Sequence, residues 1–242
     1  PITYANTFGE LWKENLLIHT FLILLLSYIY SISKYWFRNE RQKLKLKEEK
    51  LAAELSFLKA QVNPHFLFNT LNNLFASAQQ NQDFQTASGI AKLAKMMRYM
   101  LEESEATLVN LRAEIDYLKY YIDLQRMRFS EEDAIDIQLR ENGNFDGKMI
   151  APLLLIPFVE NAFKHGISLR SKSYIHIEIE VKNELLFFKI QNSNHSKTKS
   201  NDRHKIGLQN VKERLRLIYP DRHSLKIDDG QETFDVQLSI KI

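Results

Sequence analysis

Between Asn15 and Ser33 the chain contains no Asp, Glu, Lys or Arg. A run this long and this apolar has few ways to fold. In lipid each backbone N–H and C=O must find a partner within the segment, so a single such run crosses only as a helix. About 20 residues are enough for the hydrocarbon core. The expected span is 16–37, with Tyr35 and Trp36 at the interface. Lys34, Arg38, Arg41, Lys43, Lys45 and Lys47 follow it, whereas Glu10, Lys13 and Glu14 precede it. That asymmetry places everything after residue 34 in the cytoplasm, hence an inner-membrane location. A buried helix of a soluble domain is the alternative, but no second apolar segment nearby would cover it. A cleaved signal peptide fits poorly, because the run is long and no small-residue cleavage site follows. The first residue is Pro1, so an upstream segment is expected. His19 is given no role.

The whole chain has 242 residues, of which 44% are hydrophobic. That suffices for one or two modest domains plus a helical segment. A formal charge of +3 is too small to point to nucleic acid, and no direct nucleic-acid partner is expected. The chain has no cysteine, which excludes disulfides, thiol catalysis and cysteine-based zinc sites.

Residues 38–79 read as one long helix. Leu44, Leu51, Leu55, Leu58 and Val62 form a three-four stripe that suggests a parallel homodimeric coiled coil. Pro64 interrupts it and is expected to kink it. Downstream the apolar stripe becomes Leu67, Leu71, Leu74 and Ala78, a phase that turns His65 toward solvent. Gln61 and Asn69 lie four residues to either side, within reach of the imidazole. They are expected to hold one ring nitrogen and leave the other bare. A second helix over about 84–104 presents Ile90, Leu93, Met97, Met100 and Leu101, so two hairpins would form a four-helix bundle. A third helix, 111–129, carries Tyr117, Tyr120, Tyr121 and Phe129, read as core packing.

Beyond 133 the pattern becomes mixed. Residues 134–139 alternate as a strand, 152–165 read as a helix, and 174–181 with 184–191 form a hairpin around Lys182 and Asn183. A polar loop over 193–205 precedes a helix over 207–219, and strands at 224–227 and 233–242 close the chain. The fold class is α+β. A transmembrane helix leads into a coiled-coil and four-helix-bundle dimerisation hairpin, followed by an α/β sandwich. The divisions expected are 1–15 outside the membrane, 16–37 across it, 38–130 for the hairpin region and 131–242 for the sandwich.

Several segments resemble, in order, those of the LytS-type sensor histidine kinases, which join a histidine-bearing hairpin to an ATP-binding domain of the GHKL (Bergerat) fold. Residues 58–72, with Pro64-His65-Phe66, look like the phosphoacceptor box. Arg98-Tyr99, then Leu111, Glu114, Tyr117, Tyr121, Gln125 and Arg128-Phe129, look like the connecting region. Residues 152–166 are similar to the N box, and 206–215 to the glycine box. The resemblance implies Mg2+ and ATP as cofactors, a homodimer, membrane attachment, and phosphoryl transfer to a response regulator, often of the LytTR type. It assigns His65 as phosphoacceptor and Asn161 as the Mg2+ ligand. Glu160 would orient water or a proton near the metal, and Lys164 and His165 would meet phosphate or the nucleotide edge.

A neutral imidazole is nucleophilic near pH 7, because its unperturbed pKa is about 6.5. Magnesium takes oxygen donors and bridges phosphates, which suits one amide carbonyl. Gly166 is expected to end its helix with positive φ. Gly207, Leu208 and Asn210 are expected to meet phosphate at a helix N-terminus. Lys197, Lys199, Arg203, His204 and Lys205 would form a cationic lid, while Arg214 is either a phosphate contact or structural. The chain departs from the family in two places. Phe66 stands where an acid often follows the histidine. Asn192 stands where an aspartate of the Asp-x-Gly-x-Gly loop reads the adenine amine, and the later glycines are absent. A non-enzymatic signalling scaffold with a weak nucleotide site is therefore the alternative reading.

Overall fold

The computed structural model describes the backbone of 2–61, 63–104, 106–130, 132–195 and 202–242, with side chains left aside at 2–18, 44, 48, 51–61 and 202–206. The chain divides into two compact units, 1–63 and 64–242. The first is a single helix, α1 (Ile2–Gln61), of 60 residues. Its stretch from His19 is long and apolar enough to cross a membrane, and none of that stretch is buried within the protein. Leu24 and Tyr35 are 70% and 73% exposed, so no described residue of the chain covers them as a soluble core would. The stripe from Leu44 to Val62 lies outside the described side chains.

The second unit opens at Pro64. Proline was expected to kink a continuous helix; instead it is the first residue of a new one, α2 (Pro64–Gln80). At that position the missing N–H costs nothing, because the first amides of any helix lack intrahelical partners. Asp83 caps α3 (Phe84–Arg98) by accepting from the Thr86 amide at 3.0 Å. The last turn, Tyr99–Glu103, widens into a π-turn closed by the Ser104 amide on the Tyr99 carbonyl at 3.0 Å. Asn110 caps α4 (Leu111–Arg126).

α3 packs along α2 and along α4. Against α4 the seam runs antiparallel. Gly89 lies close to Met127, Lys92 pairs with Asp123 at 2.8 Å, Lys95 sits 5.2 Å over the Tyr120 ring, and the Tyr99 and Tyr117 rings are 5.0 Å apart. The apolar stripes of α2 and α3 are therefore divided. Leu71, Ala78, Ala87 and Met96 are buried within this unit, while Leu74 and Leu93 face outward, 51% and 39% exposed.

A five-stranded sheet follows, built from β2 (Ile135–Asn142), β4 (Ser173–Lys182), β5 (Leu185–Ser193), β6 (His223–Asp229) and β7 (Thr233–Lys241) in the order β2-β4-β5-β7-β6. Only β2 and β4 run parallel, across a connection that includes α5 (Ile156–His165); the other pairs are antiparallel. A short ribbon of β1 (Val109–Asn110) and β3 (Met149–Ile150) flanks α4. Period-two alternation sends Ile175, Ile177 and Ile179, Leu186, Phe188 and Ile190, and Val236, Leu238 and Ile240 to one buried face. With α5, α6 (Asp202–Ile218) and α4 they build one core. The hairpin turn falls at Asn183 and Glu184, both with positive φ, one residue later than expected. Residues 152–155 were expected to be helical but form turns, because Leu153 takes φ +52°.

Candidate functional site

His65 is the second residue of α2 and is exposed. The Asn69 Nδ2 lies 3.3 Å from its Nδ1 and 3.4 Å from its Nε2. An amide nitrogen only donates, so it bonds a ring nitrogen that carries no hydrogen. In a neutral imidazole that nitrogen is the nucleophile itself. As placed, Asn69 guards the attacking lone pair rather than freeing it. Turning its amide over would present Oδ1 to the ring N–H and bare the other nitrogen. The Gln61 side chain lies outside the described residues.

Asn192 is reached by the period of β5. Leu186, Phe188 and Ile190 point inward, and Asn192 continues that phase to a burial of 1% exposure. Its Nδ2 donates to the Ser193 carbonyl at 2.7 Å, which fixes the amide. Its Oδ1 is buried with no hydrogen-bond partner among the described residues. A buried acceptor left so is costly unless a ligand supplies the donor. That fits an exocyclic amine such as that of adenine.

Gly166 closes α5 directly against this amide. Its φ is −88°, not positive, so its glycine has a different reason. A Cβ there would fall 2.6 Å from the Ala162 carbonyl oxygen and 2.7 Å from both Cβ and Nδ2 of Asn192. The glycine allows close approach of helix to strand. His165 is half-buried with Nε2 inside, Asn161 is half-buried, and Lys164 is exposed.

Glu160 and Lys164 line a cleft of about 570 Å³ with Tyr121, Gln125, Arg128, Phe129, Phe163, Ile167 and Leu169. Glu160 is exposed at the rim of this cleft, where partial desolvation raises its carboxyl above the ordinary carboxylate range. Burial, then Glu160 and Glu114, push the Tyr117 phenol up to about 12. The Arg128 Nη1 donates to Gln125 Oε1 at 2.6 Å. Gln125 and Arg128 were read only as connecting-region residues. Their signal was phase: Gln125 follows Tyr117 and Tyr121 on one side of α4, and Arg128 lies two residues past the end of that helix.

Gly207 does not open its helix. α6 begins at Asp202, so Gly207 lies in its second turn, beyond the first four amides that a helix leaves unbonded. Gly207 and Asn210 are exposed and Leu208 is packed in part on the core. Among the described residues no hydrogen bond joins them to Asn161 or Asn192. Arg214 donates to the Leu153 carbonyl at 3.3 Å. In the expected lid, 196–201 lie outside the described residues, as do the side chains of Arg203, His204 and Lys205.

Comparison with known proteins finds similarity to histidine kinases. Residues 53–133 match the family described as histidine kinase. The chain is 29% identical over 198 residues to "Sensor histidine kinase YpdA" of Escherichia coli K12, covering 77% of this chain and 34% of that protein. It is 33% identical over 141 residues to "Sensor protein LytS" of Oceanobacillus iheyensis, covering 58% and 23%. The chain thus spans about a third or less of these relatives' length. The solved histidine kinase domain of Erythrobacter litoralis EL346 overlaps it over 74% of this chain and 93% of that one, at 12% identity and a TM-score of 0.45.

Proposed function

We propose, from the premise that this chain is one of the sensor histidine kinases of the LytS type, that it is a membrane-anchored, homodimeric kinase that phosphorylates its own His65 from Mg·ATP and passes the phosphoryl group to an aspartate of a response regulator, of the LytTR type. The single observation that carries this reading is the pairing of a solvent-facing imidazole at a helix start with a buried, unpartnered acceptor on Asn192.

Bound Mg·ATP supplies the phosphoryl group and its charge neutralisation. The chain's residues bind and position. Asn192 Oδ1 accepts from the base amine, and Gly166 keeps α5 close enough to shape that pocket. Asn161 offers an amide oxygen to the metal, and Lys164 a cation to phosphate. Glu160 holds a proton or water near the metal. Gly207, Leu208 and Asn210 remain proposed phosphate neighbours through α6, without the helix-terminus contribution. With the Asn69 amide turned, the bared His65 nitrogen would attack the γ-phosphorus in line as its bond to the β–γ bridging oxygen breaks and ADP leaves; positioning dominates such transfers. The division into a hairpin region, 38–130, and a nucleotide-binding part, 131–242, belongs to this reading. So does the inner cytoplasmic membrane.

The test is labelling with γ-phosphate-labelled ATP. The expected product is acid-labile, base-stable phosphate on His65, absent in His65→Gln. Label that survives this substitution rejects the assignment.

A further inference from the structure

Glu114 is the one fully buried acid among the described residues, 0% exposed on the apolar side of α4. Its Oε1 accepts from the amides of Leu154 at 2.9 Å and Leu155 at 3.1 Å. Its Oε2 accepts from the Leu153 amide at 2.8 Å and the Tyr99 hydroxyl at 2.5 Å. Burial raises this carboxyl's pKa, and the four donors act against that. Every contact to both oxygens is a donor, so the ionised form fills the site without conflict.

The three amides belong to a turn that would not hold alone. Leu153 has φ +52°, a left-handed conformation unusual for a branched residue. Such conformations persist where the surroundings over-determine them. Here Arg214 of α6 takes the Leu153 carbonyl, and the Ala151 amide donates to the Tyr219 hydroxyl at 2.8 Å. α5 starts at Ile156, one residue past the last bonded amide, and carries Glu160 and Asn161 in its second turn. Tyr99 belongs to the other side of the reaction. It is the first residue of the π-turn that ends α3, the second helix of the His65 hairpin. Single π-turns inside helices are frequent at functional sites.

We propose that Glu114 is a positioning residue for phosphoryl transfer: its carboxylate, shared between Tyr99 on the His65 hairpin and the Leu153, Leu154 and Leu155 amides, holds the Asn161 helix in fixed register with that hairpin. This rests on the kinase reading. Helix-to-helix twist arriving along α3 reaches the nucleotide helix through this one carboxylate and the α3–α4 seam.

The experiment uses the full chain in detergent micelles. Tyr99→Phe deletes one hydroxyl and keeps the ring against Tyr117; Glu114→Gln is the second variant, replacing one acceptor oxygen by a donor. His65 labelling is followed against ATP concentration, with amide hydrogen exchange over the same samples. In Tyr99→Phe the maximal labelling rate is expected to fall tenfold or more, with the KM for ATP changed less than threefold. Exchange at 153–155 is expected to accelerate about tenfold while β4 and β5 stay protected. Glu114→Gln is expected to move both readouts the same way. Wild-type-like labelling or unchanged exchange at 153–155 in Tyr99→Phe overturns the proposal. A loss of rate, affinity and sheet protection together also overturns it, since that is the mark of a merely structural residue. A folded wild-type protein that fails to label His65 sinks the kinase reading instead, and this inference with it.

Discussion

At His65 the decisive group is a neighbour's amide. With Nδ2 of Asn69 near both ring nitrogens, the proposed reading has the nucleophile covered as that amide stands. Asn69→Asp removes the donor and offers only acceptors, which hold the ring N–H and bare the opposite nitrogen. Initial His65 labelling at pH 7.5 is expected to rise severalfold in this variant; a lower rate there counts against the masking role. Asn192 gives a second residue-level expectation. Asn192→Ala removes the orphan acceptor, and Mg·ATP binding measured by calorimetry is expected to weaken about tenfold, the equivalent of about 1.4 kcal/mol for one hydrogen bond. Glu160 gives a pH dependence. Its folded carboxyl is raised by partial desolvation at the cleft rim, so its small contribution is intact below the unfolded value and is lost as pH rises through the folded one. Glu160→Gln lacks that penalty. Its unfolding midpoint relative to the wild type is therefore expected to climb between pH 4 and pH 7, and a gap that shrinks over this range contradicts the assignment.

Two glycines separate what helices need from one another and what a helix needs from a strand. A Cβ on Gly89 would meet the Met127 Cε at 2.8 Å, the far end of a flexible side chain that can swing aside. Gly89→Ala is expected to be neutral or stabilising, since alanine gains about 1 kcal/mol of helix propensity. On Gly166 the same atom meets a backbone oxygen and the Asn192 side chain, neither free to move. Gly166→Ala is expected to cost about 1–3 kcal/mol in denaturant unfolding, with nucleotide binding impaired as well. At this scale the sequence was legible wherever period decided. The inward phase of β5 could be followed residue by residue to Asn192. The α4 phase put Glu114 among Leu111, Ile115 and Leu118, and a carboxylate in an apolar register is itself a signal. What the pattern did not hold was the left-handed Leu153, because that conformation is imposed by Glu114 and Arg214, distant in sequence.

At the scale of the molecule, two apolar surfaces among the described residues bear on assembly. One is the stretch of α1 from His19, which suits lipid. The other is the outer side of the α2–α3 hairpin, where Leu74 and Leu93 face outward. A second hairpin would cover it and complete a bundle. If the proposed homodimer forms through this face, Leu74→Glu is expected to convert it to monomer in sedimentation of the full chain in detergent; an unchanged sedimentation coefficient excludes this face as the interface.

By itself the sequence determined the apolar span, the break at proline with its solvent-facing histidine, the alternating strands and the order of boxes that resemble those of the histidine kinases. All of these are local, written in spacing a few residues wide. Only the tertiary structure decided that Pro64 begins a helix rather than bending one, that Gly166 serves close contact rather than positive φ, and that Gly207 lies past the start of α6. It alone joined Glu114 to Tyr99 and to the turn before α5. The reason is physical: burial, close approach and shared hydrogen bonds depend on which segments meet, and those partners stand from 15 to more than 60 residues apart along the chain.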